Sequence, residues 1–327
     1  MIQPVLGIDI SKATYDVVLQ IEEKKSHRQF SNNPEGFKQL GIWLKQNQIK
    51  KAHTCMEATG KYGECLANDL YQNGHDVSVV NPARIKAYAC SKLRRNKTDK
   101  ADAELIADYC LKEKPVLWCP PEADFRDLQA LERHLEDLQT MVRQEQNRLE
   151  SGVKTSLVVR DLKGHIHYLE ERITETKKAM QDLINANLKL REQRDLLVSI
   201  PGIGELTAAK LLGEIRDIHQ FDSARQLAAY AGVTPRHFVS GTSVHKKSRI
   251  SKTGNTNIRR ILYMSAISAK HCNQIVAPFC TRLLQNGLTP LQVVCASMHK
   301  LLHLIFGILK SGKPFDPNFL QNQAFTP

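Results

Sequence analysis

The sequence contains no pair of cysteines at the spacing typical of a zinc site or a redox motif. Its eight cysteines stand at positions 55, 65, 90, 110, 119, 272, 280 and 295, and none forms a CxxC pair. Secreted disulfide frameworks and zinc modules have closer and more regular cysteine patterns. We therefore expect reduced, buried thiols and a cytoplasmic location.

The sequence also lacks a recognisable membrane or export segment. The first residues, MIQPVLGIDIS, contain neither a basic region ahead of an apolar one nor a cleavage site. Its apolar runs are shorter than the roughly 20 residues that cross a bilayer. These absences predict a protein without a membrane partner.

Acidic residues are scarce in the C-terminal part of the chain. The whole chain has a net charge of +12, and residues 196–327 contribute +10 of it, with 15 Lys and Arg against 5 Asp and Glu. Residues 233–270 contain eight basic residues and no acidic one. Such an excess predicts a polyanionic partner, either nucleic acid or an anionic membrane surface. The alternative is a solvated basic face.

The N-terminal third has the pattern of an α/β domain with a mixed sheet. Short apolar runs predict strands first in succession and then in alternation with helices. Pro120-Pro121 marks the end of this domain, which we place at residues 1–120. We expect strands at 4–10, 15–20, 28–30, 53–56 and 76–80, and helices at 34–47, 62–73 and after Pro82.

The remaining chain is predicted to be mostly helical. Residues 121–194 contain two heptad rhythms separated by a break near 151–164, which predicts an antiparallel coiled-coil hairpin. Its apolar stripe could pack within the hairpin or against a second copy. Residues 195–312 form a helical domain and residues 313–327 a loose polar tail. Within the helical domain we expect helices at 205–216, at 222–231 with Asp222 as N-cap, at 255–271 and at 289–310.

Four acids in the first domain form a candidate metal site. Asp9 and Glu57 each end an apolar strand, where a lone carboxylate is costly unless it is paired or bound to metal. Asp99 and Asp102 share one face of the first turn of a helix that Thr98 caps, although they could merely complement the helix dipole. These four residues, called the acid tetrad below, would suit Mg²⁺ or Mn²⁺ and phosphodiester chemistry. Nearby cations would neutralise phosphates: Lys92, Arg94, Arg95 and Lys97.

Residues 196–212, LLVSIPGIGELTAAKLL, have the form of a helix–hairpin–helix. Gly202 and Gly204 allow a tight turn whose backbone N–H groups can meet a phosphate beside a helix N-terminus. The alternative is an ordinary glycine-rich turn between two helices.

Residues 230–260 combine hydroxyl side chains, glycines and cations. A serine hydroxyl in this setting can attack phosphorus, because nearby cations stabilise the developing charge. The residues alone do not select one serine. The cations that would hold backbone phosphates are Arg236, Lys246, Lys247, Arg249, Lys252, Arg259 and Arg260.

Several motifs of the first domain resemble one family. The segments are GIDISK (7–12), MEATGKY (56–62), VNPARIKAYA (80–89) and RRNKTDKADAELIA (94–107). They look like the RuvC-like DEDD domain of the insertion-sequence-110 transposases and the related site-specific invertases. The resemblance implies an RNase H-like sheet flanked by helices, with the acid tetrad at the four acidic motif positions.

The C-terminal part resembles the same family. TPRHFVSGTSV (234–244) and SRISKTGNTNIRRILYMSA (248–266) look like its second domain. There the serine of the Ser-Gly pair is the nucleophile, which corresponds to Ser240. The resemblance also implies donor and target DNA, a structured guide RNA encoded beside the gene, and a homo-oligomer, a dimer or a tetramer.

The sequence thus favours an RNA-guided DNA transposase that cuts and rejoins the strands of a mobile element. A metal-only nuclease, such as a junction resolvase, is a first alternative, in which water attacks and Ser240 is structural. A nucleic-acid-binding regulator without enzymatic activity is the second.

Overall fold

The structure, a computed structural model, describes residues 3–58, 61–92, 98–240 and 244–318. At residue 61 and at 237–240 and 244–248 it describes the backbone alone. The chain divides into two compact units, Met1–Pro120 and Pro121–Pro327, and each is described by itself.

A five-stranded sheet forms the centre of the first unit. Strands β1 (Val5–Ile10), β2 (Thr14–Ile21) and β3 (Lys24–Ser31) form an antiparallel meander. Strands β4 (His53–Glu57) and β5 (Asp76–Val80) continue the sheet in parallel on the other side of β1. The strand order is therefore β3-β2-β1-β4-β5, which leaves β1 at the centre. All five strands were predicted, although β3 is longer than expected.

Helices cover the two faces of this sheet. Residues of α1 (Pro34–Gln46) and α2 (Lys61–Gln72) share one apolar cluster with Ile8 and Met56. Residues of α3 (Pro82–Ser91) and α4 (Asp99–Glu113) share the opposite cluster with Val5, Val18 and Cys55. Because strand residues alternate between faces, β1 directs Val5, Gly7 and Asp9 towards α4. This assignment decides where the acid tetrad lies.

Two long helices begin the second unit. Leu138 and Val142 of α5 (Ala123–Glu150) pack with Leu169 of α6 (Ser156–Ala186). Glu145 lies near His165, whereas Asp124, at the other end of α5, bonds Asn187, so the two helices are antiparallel. The apolar stripe therefore packs within the chain. The coiled-coil geometry of this hairpin stays a prediction.

The rest of the second unit is helical apart from one β-hairpin. Residues from α5, α8, α9, α10 and α12 meet in one apolar cluster. The elements are α7 (Leu188–Val198), α8 (Glu205–Ile215), a 3₁₀ turn (Ile218–Gln220), α9 (Ala224–Ala231), β6 (Pro235–Ser240), β7 (Val244–Ile250), α10 (Thr256–Cys272), α11 (Val276–Gln285) and α12 (Pro290–Ser311).

Several local predictions were wrong. The N-cap of α9 is Ser223, not Asp222, because the Ser223 hydroxyl accepts the Gln226 N–H at 3.2 Å. The start of the predicted loose tail is anchored, since the Phe315 N–H donates to the Ser199 hydroxyl at 2.8 Å. The cysteines are free thiols, as expected, but they are not all buried. Cys65, Cys90, Cys119 and Cys272 are exposed.

Helix α12 qualifies the expectation that no segment could span a bilayer. Over its 22 residues it is long and apolar enough to do so, alone among the helices in the described residues. Val293, Leu301, Leu302 and Ile305 of α12 are, however, fully buried in the core of the second unit. A core helix of a globular unit passes the same test of length and composition.

Candidate functional site

Two members of the acid tetrad, Asp9 and Glu57, lie side by side where strands β1 and β4 end. This end of the sheet is called its edge below. β1 and β4 are parallel, with Gly7 opposite Cys55 and Ile8 opposite Met56. The same register carried one residue further sets Asp9 beside Glu57. Both follow the alternation of their strands onto the α4 face. Because neighbouring strands are about 4.8 Å apart, the two carboxylates share one edge.

A glycine brings helix α4 down onto this edge. A side chain at Gly7 would meet the Ala103 carbonyl oxygen and the Ala107 nitrogen at 2.2 Å each. Only a residue without a Cβ permits this backbone approach. Further along β1 in the other direction, Cys110 Sγ lies 3.7 Å from the carbonyl oxygen of His53, the partner of Val5. The helix therefore runs antiparallel to β1, with its first turn above the end that carries Asp9.

The first turn of α4 carries the other two acids of the tetrad. Thr98 caps the helix as predicted, because its hydroxyl accepts the Ala101 N–H at 3.2 Å. Asp99 and Asp102 then fall in the first turn.

Burial and nearby acids both disfavour the charged form of the Asp9 carboxyl group. Burial, followed by the charges of Asp102, Asp99 and Asp16, raises the pKa of Asp9 from 3.8 to about 6. At an illustrative separation of about 6 Å, two carboxylates repel each other by about 3 kcal/mol at an effective dielectric constant of about 20. A cation among them would relieve that repulsion.

The carboxylates are close without being assembled into a ligand shell. Within the described ranges, no three Asp, Glu, His or Cys side chains are grouped tightly enough to hold a metal ion as they stand. The donor set nevertheless fits a hard divalent ion, because it consists of carboxylate oxygens that repel one another at a partly open edge. For all four carboxylates to hold one ion, Asp102 and the exposed Asp99 would have to move towards Asp9 and Glu57.

Asp16 is a further acid at this edge that sequence reasoning missed. It is the Cα partner of Asp9 across β1 and β2, and it is only 5% exposed. His27 Nε2 lies 2.6 Å from one of its carboxylate oxygens, and the Gln29 amide donates to the other at 2.9 Å. Inside the strand YDVVLQ, nothing in the sequence distinguishes this acid from a surface residue.

The basic residues predicted beside the tetrad are only partly described. Lys92 caps the C-terminus of α3, 4.0 Å from an Asp108 carboxylate oxygen and over the Tyr88 ring. Arg94, Arg95 and Lys97 lie outside the described residues.

The two glycines of the PGIG turn (residues 201–204) have different surroundings. Gly202 has φ +104°, and a Cβ there would lie 2.7 Å from the Cβ of Ala269 on α10. The Asn273 side chain also donates to the Pro201 carbonyl at 3.0 Å, so Gly202 has a packing role. Among the described residues, none packs where a Cβ of Gly204 would lie, and α8 begins after this glycine without a side-chain cap. Of the two predicted phosphate contacts, Gly204 is the accessible one.

The serine segment forms a β-hairpin where a loop was expected. Ser240 is the last residue of β6. Arg236 and Arg249 are cross-strand partners, so two like charges are adjacent on the hairpin. A phosphate placed against this pair would relieve their repulsion. The side chains of Ser240, Lys246 and Lys247 lie outside the described residues.

Arg259 braces the base of this hairpin. Its guanidinium donates to the Ala231 carbonyl at 2.8 Å, and burial lowers its pKa. Gly232 has φ +69°, and a Cβ there would meet the same guanidinium at 2.5 Å. Arg259, predicted as a phosphate contact, thus holds the end of α9 against the start of α10. Lys252, with φ +55°, is exposed beside it.

A buried polar cluster links α5, α8 and α10 and was also missed. Glu214, 2% exposed, accepts the side-chain amides of Asn255 at 2.6 Å and Asn257 at 3.0 Å. Arg260, another predicted phosphate contact, is paired with Glu136 of α5. Both interactions hold the start of α10 in place.

Glu132 of α5 is the unusual member of this cluster. It is fully buried, and neither of its carboxylate oxygens has a hydrogen-bond partner among the described residues. Burial, with the charges of Glu136 and Glu214, raises its pKa from 4.5 to about 7.

Two family profiles match this chain. A profile described as "Transposase" and named for the DEDD region of IS110 elements matches residues 6–157, which include the acid tetrad. A second profile, "Transposase IS116/IS110/IS902 family", matches residues 194–280, which include the PGIG turn and the serine hairpin.

Two curated relatives match most of this chain. The pilin gene-inverting protein of Moraxella bovis is 36% identical over 315 residues, 95% of this chain and 97% of the relative. The transposase for insertion sequence element IS1111A of Coxiella burnetii is 26% identical over 301 residues, 80% of this chain and 76% of the relative. The chain belongs to the IS110/IS116 family of transposases, and it is a DNA transposase or recombinase.

Proposed function

We propose that this enzyme cuts and rejoins DNA strands, with Ser240 as nucleophile and the acid tetrad as the holder of a divalent cation. The observation that carries the proposal is the edge where β1, β4 and the first turn of α4 meet. A sheet of this order and strand direction, with α4 on one face, supports an RNase H-like fold for the first unit.

The acid tetrad would hold Mg²⁺ or Mn²⁺. Such an ion supplies charge neutralisation at a phosphate and polarises its oxygens. Asp9 and Glu57 come from adjacent strands and provide the fixed part of the site. Asp99 and Asp102 come from the helix start and provide the part that can adjust. The close backbone contact at Gly7 keeps the two parts in register.

Ser240 would perform the attack. Its hydroxyl oxygen bonds to phosphorus, the bond from phosphorus to one deoxyribose oxygen breaks, and the hydroxyl proton passes to the leaving oxygen. Rejoining reverses the step with a different deoxyribose hydroxyl. Arg236 and Arg249 at the base of the hairpin, with Lys246, Lys247 and Lys252, would neutralise the phosphorane. The PGIG turn would contact backbone phosphate through Gly204.

A structured RNA would select donor and target, and the protein would act as a homo-oligomer, a dimer or a tetramer. The support is the family resemblance, together with an excess of +10 charges in residues 196–327.

DNA inversion is a second candidate outcome of the same chemistry. The identity to a pilin gene-inverting protein is 36% over 95% of the chain, against 26% over 80% for an insertion-element transposase. A plasmid that carries two sites in inverted orientation separates the outcomes, because inversion flips the segment and transposition excises or copies it.

The decisive experiment traps the covalent protein–DNA adduct. Wild type, Ser240→Ala, Ser251→Ala and Asp102→Ala are incubated with donor and target DNA, with and without the flanking transcript, and adducts are resolved on a denaturing gel. Ser251→Ala removes a hydroxyl from the same segment and serves as the matched control. We expect adducts with wild type and Ser251→Ala, none with Ser240→Ala, and at least about 100-fold fewer with Asp102→Ala.

Other results would select the alternatives. Cleavage without an adduct, unchanged in Ser240→Ala, would identify a metal-only nuclease. Binding without cleavage, equal in wild type and Asp102→Ala, would identify a regulator. Equal adduct yields with and without the transcript would exclude RNA guidance while leaving the serine mechanism intact.

A further inference from the structure

Three carboxylates lie in a row across three adjacent strands. Asp9 is opposite Asp16 on β2 and, by the register of β1 with β4, beside Glu57. Directly opposed residues of antiparallel strands point to the same face, with Cβ atoms about 5 Å apart. Val18, two residues from Asp16 on the same strand, packs in the cluster with α4. Asp16 therefore faces the acid tetrad on the side of Asp9 that is away from Glu57.

The orientation of Asp16 is fixed by the neighbouring strand. His27 Nε2 lies 2.6 Å from Oδ1, and Gln29 Nε2 donates to Oδ2 at 2.9 Å. Both partners belong to β3, so each oxygen is held by a separate side chain. A carboxylate offers about four acceptor positions, and these two bonds leave others free. At 5% exposure, the carboxylate does not swing into solvent.

The pairing of β1 with β2 gains nothing from this acid. Like charges directly opposite each other destabilise a strand pair, and Asp16 lies directly opposite Asp9. A neutral residue would stabilise the β1–β2 pair better. A cation bound by the acid tetrad would turn the same arrangement into an attraction.

We propose that Asp16 is a positioning residue of the acid site, which increases the affinity of the tetrad for a divalent cation, with His27 and Gln29 holding its carboxylate in place. The inference rests on the proposed function, because it takes the tetrad as the cation site. It adds a fifth negative charge, supplied by the β2–β3 hairpin, to the four acids of the family motif.

The test is Mn²⁺ binding to the full chain, measured by isothermal titration without DNA. Asp16→Asn keeps the side-chain shape and removes the charge. Glu23→Gln makes the same change in charge at the far end of the same hairpin and is the matched control. We expect Asp16→Asn to bind Mn²⁺ about 10-fold more weakly than wild type and Glu23→Gln to bind as wild type does. Asp9→Asn should lose binding.

A second pair of variants covers the case in which Asp16→Asn does not fold, as judged by circular dichroism. His27→Gln keeps an N–H donor for Asp16, and His27→Leu removes it. We expect near wild-type affinity for the first and at least about threefold weaker affinity for the second.

The outcomes separate this inference from the proposed function. Loss of Mn²⁺ binding in Asp9→Asn, with wild-type affinity in Asp16→Asn or in His27→Leu, would overturn the role of Asp16 alone. Wild-type affinity in Asp9→Asn would overturn the cation site itself, and the role of Asp16 with it.

Discussion

Replacing Glu132 with glutamine should make the second unit more stable at alkaline pH. Glu132 is fully buried, and its oxygens have no hydrogen-bond partner within the part of the chain that the structure describes. Burial and two neighbouring acids raise its pKa from 4.5 to about 7. The folded state therefore binds this proton more tightly than the unfolded state does. The resulting stabilisation is complete below about pH 4.5 and is lost as the pH rises through 7.

The size of the effect follows from the two pKa values. Each tenfold change in proton affinity corresponds to about 1.4 kcal/mol. A change from 4.5 to about 7 therefore corresponds to about 3 kcal/mol of unfolding free energy. Glutamine is neutral throughout, so Glu132→Gln should exceed wild type by about 2–3 kcal/mol at pH 8. At pH 5 the two proteins should differ by about 1 kcal/mol or less.

The two units can be followed separately during urea unfolding. Both tryptophans, Trp43 and Trp118, belong to the first unit, so fluorescence reports that unit and should be the same in variant and wild type. Far-ultraviolet circular dichroism reports mainly the helical second unit. Glu150→Gln, an exposed position on the same helix, is the control and should change stability little at either pH. A difference between Glu132→Gln and wild type that is equal at pH 5 and pH 8 would refute the reasoning.

Two further predictions concern close backbone contacts. Gly7→Ala places a Cβ 2.2 Å from the Ala103 carbonyl oxygen, so α4 must move. Unfolding free energy should fall by about 3 kcal/mol, and Mn²⁺ binding should weaken; wild-type values in urea unfolding and titration would contradict the contact. Gly202→Ala should cost about 2–3 kcal/mol, because it combines φ +104° with contact to Ala269. Gly204→Ala should cost at most about 1 kcal/mol and instead weaken DNA binding in a filter assay; equal stability losses in the two variants would contradict this division.

The sequence predicts the acid tetrad because each member has a local signal. Asp9 and Glu57 end apolar strands, and Asp99 and Asp102 follow a capping Thr98. Asp16 carries no such signal, since its importance comes from the register of β1 with β2 and from two side chains on β3. Register between strands is a tertiary property, so a single sequence does not reveal it.

The second unit was harder to predict. A one-residue irregularity in the pairing between Arg236 and Phe238 breaks the alternation that would have indicated a β-hairpin. Arg259 and Arg260 have the charge expected of phosphate contacts, but the fold uses them to brace α9 and α5. A sequence does not distinguish a basic side chain that is accessible to a ligand from one that is already bonded to a carbonyl or carboxylate of the protein.

The backbone contact at Gly7 has an evolutionary consequence. Because it joins main-chain atoms of β1 to those of α4, the spacing between Asp9 and the helix start does not depend on which apolar side chains fill the core. Volume-conserving exchanges at apolar neighbours such as Cys55 and Ile106 should therefore change stability more than the position of α4. One residue without a side chain separates the tolerance of the core to mutation from the precision that the proposed cation site requires.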